Sequence, residues 1–146
     1  MRIDYEIDVS CRPEELFPWV AEPEKAMMWM KGVKSAEVLK ETPGKVGTEF
    51  KEVMEEGGES LEMHGTITGY VGNKLIAFHL ESRVHEVDVS YTIESCNDTA
   101  RLLTMSTIGW KFRMNIMSLI FGRKLKGKII GQLESEFSEL KRLCEK

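Results

Sequence analysis

The chain has 146 residues, of which 42% are hydrophobic and 30% charged, and this balance excludes a disordered chain and favours one globular domain over residues 1–146. Its formal net charge of −4 makes nucleic acid an unexpected partner. No apolar run approaches the roughly 18 to 20 residues of a membrane-spanning helix, and the N-terminus lacks the apolar core of a signal peptide, so we expect an uncleaved cytoplasmic protein.

The first three elements are indicated by an alternating segment followed by prolines. Residues 2–9, RIDYEIDV, place apolar and charged side chains on opposite faces with a period of two, which predicts a half-buried strand. Prolines and early glutamates then favour two short helices, from Pro13 to Ala21 and from Pro23 to Met30.

The second short helix ends in the sequence KAMMWM, residues 25–30, which holds three methionines and a tryptophan. Such side chains can fill a solid core or line a hollow one, because methionine adapts to varied apolar shapes. We expect Trp29 and its methionines to lie at the mouth of a hollow, between the short helices and the sheet.

Five or six further strands follow, because apolar alternation recurs between turn signals such as TPGKVG, EGGE and GN. The predicted segments are Val33 to Lys40, Thr48 to Glu55, Glu59 to Val71, Lys74 to Ser82, His85 to Ser95 and Thr99 to Gly109. Together with the first segment they predict an antiparallel sheet.

The Gly72-Asn73 turn fixes a register for one hairpin. A two-residue loop would pair Val71 with Lys74. One face would then be apolar on both strands, with Met63, Gly65, Ile67 and Gly69 beside Ile76, Phe78, Leu80 and Ser82. The opposite face would carry Glu62, His64, Thr66, Thr68 and Tyr70 beside Leu75, Ala77, His79 and Glu81.

The two histidines on that outer face, His64 and His79, admit two interpretations. They could form a metal-binding or acid–base pair, or they could belong to a solvated cross-strand neighbourhood with Thr66 and Glu81. We favour the second.

The last hairpin, around Cys96-Asn97-Asp98, has two possible registers. A two-residue loop would turn Leu102, Thr104 and Ile108 inward, whereas a three-residue loop would turn Leu103, Met105 and Thr107 inward. The longer loop gives the more apolar inner face, so we favour it. On the preceding strand, Val87, Val89, Tyr91 and Ile93 are expected to face inward.

One long helix, from Asn115 to Cys144, ends the chain. Its second half carries a single apolar stripe at spacings of three and four, formed by Ile130, Leu133, Phe137, Leu140 and Cys144. This helix is the only large element able to cover the apolar face of an antiparallel sheet, which predicts an α+β fold.

The predicted inner face offers little catalytic chemistry. It holds the hydroxyls of Tyr5, Ser82 and Tyr91, but no carboxylate pair, lysine or histidine, and general acid–base catalysis needs a titratable group near the substrate. A residue such as Glu52 or Arg113 could still reach in from a loop. The three cysteines form no C-x-x-C pair, and phosphate-binding loops, H-E-x-x-H and G-x-S-x-G are absent, so we predict free thiols, no metal site and no cofactor.

The inner face instead supplies an apolar wall. Gly65 and Gly69 leave space where a solid core would need bulk, which favours a hollow interior over a packed one. The expected ligand-binding residues are Trp29, Phe50, Met63, Ile67, Phe78, Leu80, Tyr91 and Met105, with Met117, Ile120 and Phe121 closing the wall from the terminal helix.

The sequence resembles the START-related superfamily, also called SRPBCC, which includes polyketide cyclase/dehydrase-like proteins and the birch-pollen-allergen type. The resemblance rests on VSCRPEELFPWVAEPEKAMMW at Val9 to Trp29, GTEF at Gly47 to Phe50, GTITGYVGNKLIAFHL at Gly65 to Leu80 and VSYTIESCNDTARL at Val89 to Leu102. It implies a helix-grip fold, in which a curved seven-stranded antiparallel sheet wraps around the long C-terminal helix and two short helices follow the first strand. It also implies a cavity between sheet and helix for lipids, sterols, polyketides or other hydrophobic molecules.

The segment from Arg113 to Lys128 mixes apolar and basic residues. It could make transient contact with a membrane surface, since basic residues beside an apolar stripe favour anionic lipid. It could equally pack its apolar face on the sheet with its cations in solvent, and we favour this interpretation.

We therefore expect a non-catalytic or weakly catalytic protein that binds or transports a small hydrophobic ligand. The alternative is a polyketide cyclase or aromatase acting through Tyr5, Tyr91 or a loop acid. A third possibility is a regulator that binds another protein through an exposed apolar patch.

Overall fold

In the computed structural model, the backbone is described for residues 1–56 and 59–145, and the side chains for residues 1–55, 60–111 and 126–145. Seven antiparallel strands form one sheet in the order β1-β7-β6-β5-β4-β3-β2, and three helices complete an α+β fold. The elements are β1 (Arg2–Val9), α1 (Pro13–Ala21), α2 (Pro23–Ala26), β2 (Val33–Lys40), β3 (Glu49–Glu56), β4 (Glu59–Val71), β5 (Leu75–Glu81), β6 (His85–Cys96), β7 (Thr99–Trp110) and α3 (Phe112–Cys144). This is the helix-grip arrangement that the resemblance implied.

Local signals predicted most element bounds correctly, and the second short helix is the main exception. Helix α2 ends at Ala26 rather than at Met30. The next residues form tighter turns, in which the Met28 N–H donates to the Lys25 carbonyl at 3.1 Å and the Trp29 N–H donates to the Ala26 carbonyl at 3.3 Å. Such i to i−3 bonds are typical of helix ends, and here they turn Trp29 into the interior.

The β4–β5 hairpin differs from its predicted register only beside the turn. Val71 pairs with Leu75 instead of Lys74, so the loop has one more residue than expected, and Asn73 adopts a positive φ of 64°. A bulge at Thr68 then restores the predicted pairing of Ile67 with Phe78. As a result Tyr70, and not Gly69, occupies the inner face near the turn, packed against the core.

The β6–β7 hairpin takes the shorter of the two loops, so the favoured longer loop was wrong. Cys96 pairs with Thr99, and Asn97 tolerates the left-handed φ of 55° that this tight turn needs. The inner face of β7 therefore carries Leu102, Thr104 and Ile108, which are all buried. Met105 lies on the outer face and is 41% exposed.

The core lies between the sheet and the C-terminal half of α3. Phe137 and Leu140 of this helix pack against β1, β7 and α1, because their spacing keeps both on one face. Trp29 also belongs to this core: it is 2% exposed, its Nε1–H donates to the Trp19 carbonyl at 2.7 Å, and its ring lies 5.6 Å from that of Phe137. The expectation that Trp29 lines the mouth of a hollow is therefore wrong.

Candidate functional site

A cavity of about 330 Å³ lies beside this core, between the two short helices and strands β2 to β5. Its volume falls at the lower end of the range found for small-molecule sites, about 300–1,000 Å³. The helical wall is apolar and includes Val20, Ala26, Met27 and Met30. The sheet contributes Ala36, Val38, Phe50, Ile67, Tyr70, Ile76 and Phe78.

The cavity opens at the edge of the sheet, where β2 has no further neighbour. Val38 of this edge strand lines the cavity and is 46% exposed, so the lining continues to the surface. The adjoining loop is held in place by its own hydrogen bonds: the Thr42 N–H donates to Thr48 Oγ1 at 3.1 Å, and the Gly47 N–H donates to the Ile67 carbonyl at 2.8 Å. The mouth is therefore largely preformed on this side.

Glu52 is an acidic side chain in this otherwise mostly apolar wall. Strand alternation puts it on the same face of β3 as Phe50, and it pairs across the sheet with Ala36 on one side and Met63 on the other. Burial raises the pKa of its carboxyl, because the charged form loses solvation. Among the described residues, no side chain or backbone group forms a hydrogen bond or ion pair with it.

Glu136 of α3 is a buried acid, and it differs from the half-buried Glu52 because it has a partner. Its Oε2 accepts the Lys31 backbone N–H at 2.6 Å. Burial raises the pKa of Glu136, and the hydrogen bond from Lys31 opposes that shift. Glu136 therefore has a structural use, whereas Glu52 has none within the described residues.

The two acids also affect Tyr91, which packs between the cavity wall and the core. Burial is the main cause that raises the pKa of Tyr91, and the negative charges of Glu136 and Glu52 raise it further. The Tyr91 hydroxyl therefore stays protonated near neutral pH. Its ring contacts those of Trp29, Phe78 and Phe137, with centroids 6.0–6.5 Å apart.

Comparison with known proteins identifies the fold. No protein-family model matches the sequence, and no curated protein does either. Among solved structures, TTHA0849 of Thermus thermophilus superposes with a TM-score of 0.82 at 14% identity, over 99% of this chain and 97% of that one. A START superfamily protein of Mycobacterium smegmatis gives a TM-score of 0.75 at 14% identity, over 97% and 98% of the two chains. The chain has the START-superfamily fold.

A third solved structure shares this fold. Ara h 8.0201 superposes on the START fold of this chain with a TM-score of 0.67 at 12% identity, over 99% of this chain and 97% of that one. The predicted START-related resemblance is therefore confirmed at the level of fold.

The START fold brings some of the predicted ligand-binding residues together and separates others. Phe50, Ile67 and Phe78 line the cavity. Trp29, Met63, Leu80 and Tyr91 are buried beside it without lining it. Met105 lies outside the grip on the outer face, because the shorter β6–β7 loop reverses the side it presents. Met117, Ile120 and Phe121 lie outside the residues whose side chains the structure describes.

One glycine has a different role from the one expected. A Cβ on Gly65 would lie 2.2 Å from Cζ of Phe50, its cross-strand partner, so the space above Gly65 is filled by the outer edge of that ring. Gly65 thus makes room for Phe50 rather than for a ligand. The cavity lies next to this ring, on its exposed side.

Sequence reasoning missed Glu52 as a site residue, although a signal for it was present. Phe50, Glu52 and Met54 alternate along the predicted third strand, which puts the acid on the inner face. Treating Glu52 as a loop residue hid this alternation. The inner face therefore does carry a titratable group.

The segment joining α2 to β2 is hydrogen-bonded to α3. Besides the bond to Glu136, the Lys31 carbonyl accepts Gln132 Nε2 at 3.3 Å, and Lys31 Nζ donates to Ser135 Oγ. Bonds to three positions on one face of α3 hold this segment in place.

The outer-face histidines lie in a solvated polar network, as predicted. His79 Nδ1 bonds Asp88 Oδ1 at 2.8 Å, and Lys111 Nζ donates to Glu81 Oε1 at 3.3 Å. His79, Glu81 and Glu86 bring possible metal-ligating atoms within 4.8 Å of one another, but two of the three already have protein partners.

The predicted membrane-contact segment, Arg113 to Lys128, lies mostly outside the residues whose side chains the structure describes. Within the described residues, no helix combines the length and apolarity needed to cross a bilayer.

Proposed function

We propose that the protein binds a small, mostly apolar molecule in the cavity between its short helices and strands β2 to β5. The observation that carries this proposal is a preformed cavity of about 330 Å³ with a mostly apolar wall that includes the half-buried acid Glu52. Sites for small molecules combine these two features, because apolar walls supply affinity and a few polar groups supply orientation. The START-type fold supports the proposal, since its family resemblance implies an interior for hydrophobic guests.

The energetics are adequate for such a guest. Each CH₂ group removed from water contributes about 0.8 kcal/mol. A chain or ring system of six to eight carbons, on the order of what so small a cavity can hold, would gain about 5–6 kcal/mol before the costs of ordering are subtracted. Affinity between tens of micromolar and millimolar is therefore expected for a guest without polar complementarity.

A cavity-filling variant tests the proposal. Ala36 lies on the edge strand β2, pairs with Glu52 of β3 and lines the cavity. Ala36→Phe should therefore fill the cavity. Ser35→Phe is the matched control, because its exposed side chain lies next to Ala36 on the same strand and does not line the cavity.

Native mass spectrometry of freshly purified protein should detect a co-purified apolar molecule, or uptake of 1-octanol, in the wild type and in Ser35→Phe. Ala36→Phe should reduce the bound fraction at least tenfold. Equal binding by all three proteins, or none by the wild type, would contradict the proposal.

A second candidate is an enzyme that uses Glu52 as a general acid or base. Burial raises the pKa of this carboxyl towards neutral pH, which is the direction that acid–base catalysis requires. Of the other groups proposed for catalysis, Tyr5 stacks on Phe137 and Tyr91 lies in the core, and neither lines the cavity.

The mass of the bound molecule discriminates between the two functions. A binding protein releases its guest unchanged after prolonged incubation. An enzyme would alter the guest's mass or isomeric form, and Glu52→Gln would stop the change while retaining the guest.

A further inference from the structure

The charges around the cavity are predominantly negative. Its described lining includes four glutamates, Glu22, Glu37, Glu41 and Glu52, and one lysine, Lys45. Lys45 is already paired with Glu41. Within the described lining, a ligand carboxylate would therefore meet like charge and no cation that lacks a protein partner, whereas a ligand cation would meet opposite charge.

Glu52 is half-buried, and it is the one of these acids whose pKa burial raises. A carboxylate that loses part of its solvation is costly to leave without hydrogen bonds, and protein groups satisfy most such atoms. Glu136 meets this rule through the Lys31 N–H, and Glu22 is paired with Lys25 at 3.6 Å. Within the described residues Glu52 does not meet it, so its partner is expected to come from the ligand.

Aromatic rings form part of the same cavity wall. Phe50 lies two residues from Glu52 on the same face of β3, and its ring centroid is 5.8 Å from that of Phe78 in an edge-to-face arrangement. Tyr70 also lines the wall. Ring faces attract cations through their quadrupole, and this attraction strengthens when the cation is desolvated. Ring faces give a neutral alcohol no comparable electrostatic stabilisation.

We infer that the ligand is an apolar amine, whose protonated nitrogen pairs with Glu52 and lies against the rings of Phe50 and Phe78. This inference rests on the proposed binding function and adds the chemical class of the guest. An apolar tail occupies the wall formed by the short helices. The ammonium group supplies the hydrogen-bond donors that Glu52 lacks.

Three ligands with the same tail test the inference. Octylamine is cationic at pH 7, 1-octanol is neutral and octanoate is anionic, so differences in affinity report the head group. Isothermal titration calorimetry with the full chain should give octylamine at least tenfold tighter than 1-octanol, and octanoate weakest.

Two variants assign the preference to one side chain. Glu52→Gln should remove the advantage of octylamine over 1-octanol while leaving 1-octanol affinity within threefold. Glu49→Gln is the matched control, because Glu49 lies on the same strand as Glu52, is exposed and does not line the cavity. It should change octylamine affinity by less than threefold.

The outcomes distinguish a failure of the amine inference from a failure of the proposed binding function. If all three ligands bind equally, or octanoate binds most tightly, the amine inference is overturned and the binding function stands. If Glu52→Gln weakens 1-octanol as much as octylamine, the role of Glu52 is structural and the inference again fails. If none of the three binds, the proposed function itself fails.

Discussion

Replacing Trp29 tests the division of the interior into a solid core and a hollow. The side chain is 2% exposed, donates a hydrogen bond to the Trp19 carbonyl and packs against the rings of Tyr91 and Phe137. It does not line the cavity. Trp29→Ala should therefore reduce stability strongly and alter ligand binding only indirectly.

The magnitude follows from the buried area. A buried tryptophan removes up to about 250 Å² from water, worth about 6 kcal/mol at 25 cal/mol per Å², part of which alanine retains. Measured Trp→Ala changes in cores cost about 3–5 kcal/mol, and we expect Trp29→Ala to fall in that range. For a domain of this size the loss corresponds to a decrease of roughly 10–15 °C in Tm.

A second substitution at this position keeps the protein folded and separates the contributions. Trp29→Phe retains most of the ring packing but loses the Nε1–H that bonds the Trp19 carbonyl, so it should cost about 1–2 kcal/mol. Because the smaller phenyl ring would still not line the cavity, the affinity for 1-octanol should change by less than threefold.

The assay is urea denaturation followed by circular dichroism, combined with calorimetric binding of 1-octanol. A loss below about 1 kcal/mol for Trp29→Ala would mean that the site is open rather than packed. A large change in ligand affinity with little loss of stability in Trp29→Phe would refute the same reasoning, since it would place Trp29 in the cavity wall.

Three further predictions concern the cavity and the thiols. Gly65→Ala should cost about 1–3 kcal/mol in urea denaturation and weaken 1-octanol binding, because its Cβ would lie 2.2 Å from Cζ of Phe50 and push that ring into the cavity. Glu52→Gln should raise Tm at pH 8 but not below about pH 4.5. Because burial raises the pKa of Glu52 in the folded state, the wild type loses stability as pH rises from the unfolded-state pKa of 4.5 through the folded-state pKa. Below both pKa values the carboxyl is protonated in either state, so the substitution has no charge to remove. Cys11 and Cys144, whose sulfurs lie 2.9 Å apart, should resist iodoacetamide at pH 8, because burial raises the pKa of both thiols.

Each of these predictions has a control in the same chain. Gly44→Ala should change stability by less than about 0.5 kcal/mol, because a Cβ there meets no atom within 4 Å. Glu62→Gln, on the outer face, should produce no comparable rise in Tm at pH 8. Urea should expose all three cysteines to alkylation, and equally fast labelling without urea would contradict the burial argument. For Glu52→Gln, a Tm difference that does not vary with pH would contradict the linkage.

The sequence predicted the elements well because their signals are local. The strict alternation in residues 2–9 and the prolines of the short helices need no information from elsewhere in the chain, and β1, α1, β2 and β4 have the predicted bounds. The helix-grip arrangement followed from the order of these elements and from the family resemblance.

The predictions that failed depended on geometry between distant residues. The bulge at Thr68 shifts one side chain and exchanges Gly69 for Tyr70 on the inner face. The tight turn at Asn97 was rejected because Leu103 and Met105 made the alternative face more apolar, yet the turn conformation decided the register. The number of apolar residues on a face does not include the conformational preference of the turn, so it could not decide the register.

The location of the hollow also depends on distant contacts. Trp29 was assigned to a cavity from composition, but the bonds between Lys31 and α3 draw this segment over the core instead. The same bonds leave α2, with its small residue Ala26, facing the sheet at the β2 to β5 end. The space arises because no large side chain in the described part of the chain reaches that end from α2.

The arrangement of β3 explains how the specificity of the cavity can vary without loss of the fold. Phe50 rests in the space over Gly65, Glu52 follows it on the same face, and neither belongs to the core that Trp29, Phe137 and Leu140 form. Substitutions at Glu52 therefore change the charge of the cavity at small cost, since they leave the core packing intact. Because Glu52 has no protein partner within the described residues, folding does not require its charge. A cationic guest would stabilise this half-buried carboxyl, and this is the physical basis for expecting β3 to determine selectivity and α3 to determine stability.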